Sequence, residues 1–102
     1  MIGAATRLAG FLKSVSGSRD FRQSHRSLYS ALLVGHERAG GANPFRISRR
    51  ELMKNSAIRS FATYHKCIGD LVDAGFIEYE PSYHPSLGSR VTLLDPFKND
   101  EG

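Results

Sequence analysis

The sequence predicts a small α+β domain in which helices come first and a two-stranded ribbon follows. Apolar stripes at helical spacing recur up to about residue 74, and glycine- or serine-containing breaks separate them. Alternating apolar residues at 76–80 and a β-branched run at 90–94 then predict two strands. The chain has 102 residues, enough for one modest core. We divide it into an N-terminal helix or arm at 1–18, a main domain at 19–95 and a frayed tail at 96–102.

The first predicted helix covers residues 5–15. Leu8, Phe11, Leu12 and Val15 recur at i, i+3, i+4 and i+7, so they form one apolar stripe. Two interpretations are open. The helix packs on its own domain, or it serves as a dimerisation helix.

The second predicted helix covers residues 20–37, and a short strand follows it. Asp20 is expected to cap this helix, with Gln23 placed three residues later to reach back. Further along, Phe45 and Ile47 flank a single arginine, and this alternation predicts a strand.

The third predicted helix covers residues 48–55. Ser48 and Glu51 have the spacing of a capping box, in which each side chain satisfies a free backbone N–H. The turn that follows lacks the glycine common in such corners. We expect Asn55 or Ser56 to adopt the backbone conformation that the turn needs.

The fourth predicted helix covers residues 60–74, with Ser60 as its N-cap and Gly75 as its left-handed C-cap. At 100° per residue, one side is predicted to face the core: Phe61, Tyr64, Cys67, Ile68, Leu71 and Val72. The other side is predicted to face outward, with His65 on the flank: Arg59, Ala62, Thr63, Lys66, Asp70 and Asp73.

The order of these elements is informative about the fold. A helix, a turn, a second helix and then a two-stranded ribbon at 76–94 is the order of a winged helix-turn-helix. The predicted fold is therefore an α+β winged helix-turn-helix, with a three-helix core, a C-terminal two-stranded wing and a short N-terminal helix. Such domains hold one helix in a DNA groove.

Charge is distributed unevenly along the chain. The net charge is +4, but the segment from Arg7 to Lys66 holds 12 basic and 3 acidic residues. The remainder, from Cys67 to Gly102, holds 2 basic and 7 acidic residues. The basic part suits a polyanionic partner, by steering and by release of counterions from phosphate, although a merely solvated surface is the alternative.

A family resemblance appears in the last two helices and the ribbon. The residues that carry the general pattern are Ser60, Thr63, Tyr64, Lys66, Ile68 and Leu71, followed by Gly75-Phe-Ile77. They resemble the recognition helix and first wing strand of winged-helix regulators. Three longer runs are similar to small winged-helix transcriptional regulators of Bacteroidetes, often linked to mobile elements: Asn43-Pro-Phe-Arg-Ile-Ser-Arg-Arg-Glu51, Ala62-Thr-Tyr-His-Lys-Cys-Ile68 and Tyr79-Glu-Pro-Ser-Tyr-His-Pro85 with Gly88-Ser-Arg90. The resemblance covers about residues 24–94 and implies DNA binding.

The predicted DNA-binding residues fall into three groups. Phosphate contacts are expected from Arg46, Arg49 and Arg50. Base reading, with one phosphate contact at the helix start, is expected from Arg59, Ser60, Ala62, Thr63, His65 and Lys66. Wing contacts are expected from Tyr83, His84, Ser89 and Arg90, the arginine entering a minor groove. Asp70 and Asp73 would repel phosphate, so the reading surface is expected to stay within the first two turns.

The predicted function is sequence-specific binding of double-stranded DNA by a transcriptional regulator that forms a homodimer. One alternative is an excisionase-like or plasmid-replication accessory protein of a mobile element. Another is a winged helix that serves as a protein-interaction module. We expect no enzymatic activity, because the sequence holds no Gly-rich phosphate loop, nucleophile elbow or paired-carboxylate motif.

Other chemistry is not indicated. His65 and Cys67 point about 200° apart on a helix and cannot share a metal, and His25 and His36 are expected at the core or its rim. We therefore expect no metal, no cofactor and no small-molecule ligand. Cys67 is the single cysteine and is expected to be a small buried side chain. The lone cysteine and the lack of long apolar runs predict a cytoplasmic protein with no membrane partner.

Overall fold

A computed structural model describes residues 3–82 and 88–95. These parts of the chain form four helices and one three-stranded antiparallel sheet, so the predicted α+β class is confirmed. The helices are α1 (Ala4–Ser14), α2 (Gln23–Arg38), α3 (Arg49–Ser56) and α4 (Phe61–Asp73). The strands are β1 (Phe45–Ile47), β2 (Ile77–Glu80) and β3 (Ser89–Leu93). None of the described helices is long and apolar enough to cross a lipid bilayer.

The two strands of the predicted ribbon join β1 in a single sheet. The strand order is β1-β3-β2, with both pairs antiparallel, so β3 is the central strand. The Asn43 side chain extends the pairing beyond β1: its amide nitrogen donates to the Leu93 carbonyl at 2.9 Å, and its carbonyl oxygen accepts from the Leu93 amide at 2.8 Å. The first strand therefore fixes the position of the ribbon against the helices.

Stacked aromatic rings fix α1 to the rest of the domain. The fully buried Phe11 ring stacks on Tyr29 of α2 with centroids 4.2 Å apart, and it meets Phe76 edge-on at 4.9 Å. Val15 is buried as well, whereas Leu12 is exposed. Burying one aromatic side chain contributes about 2–3 kcal/mol to stability. The first helix thus packs on its own domain, which was the first of its two interpretations.

A buried arginine ties the same helix to the end of the sheet. The Arg7 guanidinium donates to the Leu94 carbonyl at 3.3 Å and forms an ion pair with the Asp95 carboxylate. Arg7 lies on the core side of α1, although its sequence spacing gave no sign of this.

The start of α2 differs from the prediction. The helix begins at Gln23 rather than at residue 20, so Asp20 is not its cap. The N-cap is Arg22, whose backbone N–H donates to Nδ1 of His25 at 3.0 Å. Asp20 instead precedes the helix, and its amide donates to the Ser18 hydroxyl at 3.2 Å.

The predicted N-caps Ser48 and Ser60 are confirmed, and of the predicted capping box in α3 the structure shows the bond to the Ser48 side chain. The Ser48 hydroxyl accepts from the Glu51 amide at 3.3 Å, and the Ser60 hydroxyl accepts from the Thr63 amide at 3.2 Å. Gly75 follows α4 with φ +84°, the left-handed conformation expected of it. These caps set where the two helices begin and how they face each other.

The turn between α3 and α4 uses a residue that the sequence did not indicate. Ala57 has φ +62°, whereas Asn55 and Ser56 belong to the helix. The left-handed residue lets the Ile58 amide donate to the Met53 carbonyl at 3.0 Å, which closes α3. An L-residue other than glycine costs about 1–2 kcal/mol in this conformation.

Candidate functional site

The first two turns of α4 form the centre of the site. The buried side of the helix consists of Tyr64, Cys67, Ile68 and Leu71. Ala62, Thr63, His65 and Lys66 are all exposed, as predicted, so small, hydroxyl-bearing and cationic side chains share one surface. Arg59 and Ser60, just before the helix, are exposed beside them.

Two residues of α4 were predicted on the wrong side. Phe61 and Val72 were expected in the core, but they are 60% and 37% exposed. Both lie about 70–90° around the helix from the middle of its buried side. Tyr64 and Ile68 already fill the adjacent core, because they are 0% and 4% exposed.

One flank of this surface is formed by the start of α3. Arg49, the first residue of α3, places its guanidinium carbon 4.5 Å from the centre of the Phe61 ring. Arg50 is exposed next to it, and so is Arg59 on the approach to α4. The starts of the two helices therefore place three exposed arginines on this flank.

The other flank contains cations that the sequence analysis did not assign. An open cavity of about 490 Å³ separates the start of α2 from α4. Its lining comprises Arg19, Asp20, Arg22, Ser24, His25, Ala62, Thr63, Lys66 and Cys67. Neither Arg19 nor Arg22 forms an ion pair with another residue that the structure describes. Thr63 and Lys66 are about 40 residues away from these arginines in sequence, so only the fold brings them together. The one feature of the sequence that pointed to Arg19 and Arg22 was the excess of basic residues in the segment that contains them.

A hydrogen-bonded group links α4 to α2 below this cavity. Nδ1 of His25 accepts from the Arg22 amide, so the neutral ring carries its proton on Nε2 and donates it to Asp70 at 2.8 Å. The same carboxylate accepts from Lys66 at 3.1 Å. The hydrogen bond from His25 lowers the pKa of Asp70, and Lys66 acts in the same direction. Asp70 is therefore anchored by two partners rather than standing free toward a ligand.

Exposed carboxylates lie at the far end of α4 and along the strand that follows it. Asp73, the last residue of the helix, is exposed, and so are Glu78 and Glu80 on β2. Along the helix axis Asp73 lies about 16 Å from Ala62. The electrostatic surface thus changes sign along the length of α4.

The sheet holds a second group of predicted site residues. Arg46, Arg90 and Glu80 stand opposite one another across the three strands, and Arg90 pairs with Glu80 at 3.3 Å. Arg90 lies within β3, in the strand predicted for residues 90–94. The Ser89 hydroxyl is hydrogen-bonded to the Tyr79 hydroxyl at 3.1 Å.

The predicted wing residues Tyr83 and His84 lie outside the described residues. Of the DNA-binding residues predicted for the sheet and the wing, the structure therefore describes Arg46, Ser89 and Arg90.

The described residues show little sign of nucleophilic or metal chemistry. Cys67 is buried, and burial, with a further contribution from Asp70, raises the pKa of its thiol. Burial likewise raises the pKa of Tyr29 to about 12. Among residues 3–82 and 88–95, no group of three or more His, Cys, Asp or Glu side chains could hold a metal ion.

Comparison with protein-family models, with curated proteins and with solved structures finds no match for this chain.

Proposed function

We propose that this chain is a winged helix-turn-helix protein that binds double-stranded DNA in a sequence-specific manner. In this proposal α3 and α4 form the helix-turn-helix, α4 enters the major groove, and β2 and β3 belong to the wing. The role of a transcriptional regulator is the one that the resemblance to winged-helix regulators implies.

One observation carries the proposal: exposed cations flank the polar surface of α4 on both sides. Arg49 and Arg50 lie on one flank, and Arg19 and Arg22 lie on the other. A helix in the major groove, about 12 Å wide, has a phosphate backbone along each of its sides. Two cationic flanks separated by one helix match two phosphate strands separated by one groove.

The side chains between the flanks suit base recognition. Thr63 and Lys66 can hydrogen-bond to base edges, and Ala62 is small enough to admit a thymine methyl group. Lys66 is exposed over 74% of its side chain, so its ion pair with Asp70 is a weak surface pair that a base or phosphate can replace.

Salt dependence tests the flanks separately from sequence recognition. Affinity falls as salt rises, and each phosphate contact steepens the slope of log affinity against log salt concentration by about 0.9. At 0.1 M salt one such contact contributes roughly eightfold to affinity. Arg50→Gln should therefore weaken binding to every duplex about eightfold and lower the slope by about 1. Arg22→Gln should do the same from the other flank.

The control for these variants is Lys13→Gln, which removes the same charge from an exposed position near the end of α1. Binding can be measured by fluorescence anisotropy with a labelled duplex from 50 to 300 mM salt, conditions chosen to span the range in which phosphate contacts dominate. If all three variants keep the wild-type slope, the cationic flanks do not bind phosphate and the proposed orientation is wrong.

Homodimer formation is part of the same proposal. A symmetric dimer requires two half-sites about 34–36 Å apart, or a multiple of that distance, along the duplex. Sedimentation of the protein–DNA complex gives its stoichiometry. A single protomer on the shortest duplex that retains full affinity would contradict the dimer.

A further inference from the structure

Phe61 is the most exposed large apolar side chain in the part of the chain that the structure describes. It is the first residue of α4, and 60% of it is accessible to solvent. The other exposed large apolar side chains are Leu12 on α1, Val34 on α2 and Val72 near the end of α4. Val72 is about 16 Å away along the helix axis. Phe61 is thus the one large apolar side chain exposed at the start of α4.

The ring is held in place by an arginine. The Arg49 guanidinium carbon lies 4.5 Å from the ring centre, the geometry of a cation–π contact. Such a contact uses the positive charge and leaves N–H donors of the guanidinium available for another partner. The pair therefore offers two functions side by side: an apolar ring and a donor for an anion.

The surroundings of the ring restrict the kind of partner that can contact it. Arg49, Arg50, Arg59 and Ser60 are all exposed nearby, so the partner has to be anionic. A protein partner that docks on apolar surface would require several neighbouring apolar side chains, and within one turn of α4 the only other exposed one is the small Ala62. The major groove of DNA combines a phosphate backbone with one isolated apolar group, the C5-methyl of thymine.

We propose that Phe61 contacts the C5-methyl group of a thymine, while Arg49 steadies the ring and binds a phosphate beside that base. This inference rests on the proposed function, and it adds a specificity-determining residue to it. The preferred binding site should then contain a thymine at the position next to the start of α4.

Replacing thymine by uracil tests the contact, because the change removes only the methyl group. On a site selected from a random duplex library, each thymine is replaced by uracil in turn. One replacement should weaken wild-type binding about fourfold, the equivalent of one buried methyl group. Phe61→Ala should lose that sensitivity and bind the thymine and uracil duplexes equally, while keeping the wild-type response at every other position.

Val72→Ala is the matched control, since it truncates an exposed apolar side chain on the same side of α4. The Val72→Ala variant should still bind the thymine duplex about fourfold more tightly than the uracil duplex. Because Phe61 is largely exposed, the Ala variant is expected to fold, and its circular dichroism melting curve verifies this. Arg49→Lys keeps the charge but should reduce the thymine preference, because an ammonium group stacks less well on a ring.

The outcomes separate this inference from the proposed function. If a site is selected but no uracil replacement weakens wild-type binding, or Phe61→Ala keeps the full penalty, the thymine contact is wrong and DNA recognition stands. If the library yields no preferred site, sequence-specific binding fails, and the thymine contact fails with it.

Discussion

The N-terminal half of α4 presents small, hydroxyl-bearing and cationic side chains, whereas its C-terminal half presents carboxylates. Ala62, Thr63 and Lys66 are exposed in the first half, and arginines stand on either side of them. In the second half, Asp70 is bound by two partners and Asp73 is exposed. A single helix therefore has one end suited to an anionic ligand and one end that repels it.

This difference indicates how the helix can be oriented on DNA. If α4 lay flat along the groove, Asp73 would come close to the phosphates and weaken binding. Insertion by the N-terminal end keeps that carboxylate away from the duplex. It also points the free N–H groups of the first turn of α4 toward the DNA phosphates, and the helix dipole favours an anion at this end of the helix.

The largest expected effect concerns Lys66. Its replacement by Ala should cost about 1–3 kcal/mol on the preferred site and much less on random duplex, because a base contact carries discrimination. Competition binding with the two duplexes measures the ratio. Lys54→Ala, an exposed lysine near the end of α3, is the control. Equal losses on both duplexes would assign Lys66 to phosphate rather than to a base.

The next effect concerns Asp70, whose carboxylate accepts hydrogen bonds from His25 and Lys66. The pKa of Asp70 is lowered in the folded protein, so its carboxylate stabilises the fold above the unfolded value of about 3.9. That contribution is lost as pH falls through the lowered folded pKa. Asp70→Asn should therefore cost about 1–2 kcal/mol at neutral pH, and the difference should shrink at lower pH.

Urea denaturation at a series of pH values from 2.5 to 7, a range that brackets the carboxylate titration, measures this difference. Asp73→Asn, which removes an exposed carboxylate from the same helix, serves as the control. A stability difference for Asp70→Asn that stays constant down to the lowest pH would contradict the role of the carboxylate.

A smaller effect is expected when the exposed carboxylate of Asp73 is removed. Asp73→Asn should raise affinity for every duplex about twofold to threefold at low salt, because it removes a screened repulsion of less than 1 kcal/mol. Glu37→Gln, a similar change near the end of α2, should leave affinity almost unchanged. A tenfold gain would mean that the C-terminal half lies against the duplex, which would overturn the proposed orientation.

The last effect, on stability rather than on binding, concerns the turn between α3 and α4. Ala57 has φ +62°, where glycine meets no steric penalty. Ala57→Gly should therefore raise the free energy of unfolding by about 0.5–1 kcal/mol after its entropic cost. Ala39→Gly, at the end of α2 with φ −83°, should lower it. Thermal denaturation compares the two, and a loss of stability in both variants would show that the turn at Ala57 is not strained.

Much of the fold could be predicted from local patterns. Helix periodicity and the serine caps Ser48 and Ser60 placed all four helices within three residues of their observed ends. The exposure of Ala62, Thr63 and Lys66 followed from the same periodicity. These features depend on residues close together in sequence, and local sequence patterns can therefore predict them.

The differences arise where distant residues decide the outcome. Phe61 faces outward because the core beside it is already filled. The late start of α2 is the exception, since its cap is a local hydrogen bond from the Arg22 amide to Nδ1 of His25, three residues on. Arg90 lies in a strand beside Glu80, a pairing that sheet register determines. The cationic flank of Arg22 depends on how α2 packs against α4. Periodicity and spacing carry no information about such contacts.

Selection from a random double-stranded DNA library, followed by sequencing, tests the central claim most directly. We predict one preferred motif for the wild type, a weaker or broader motif for Thr63→Ala and Lys66→Ala, and an unchanged motif with lower affinity for Arg50→Gln. Recovery of sequences with no common motif, by a protein that is folded and binds DNA, would contradict base recognition by α4.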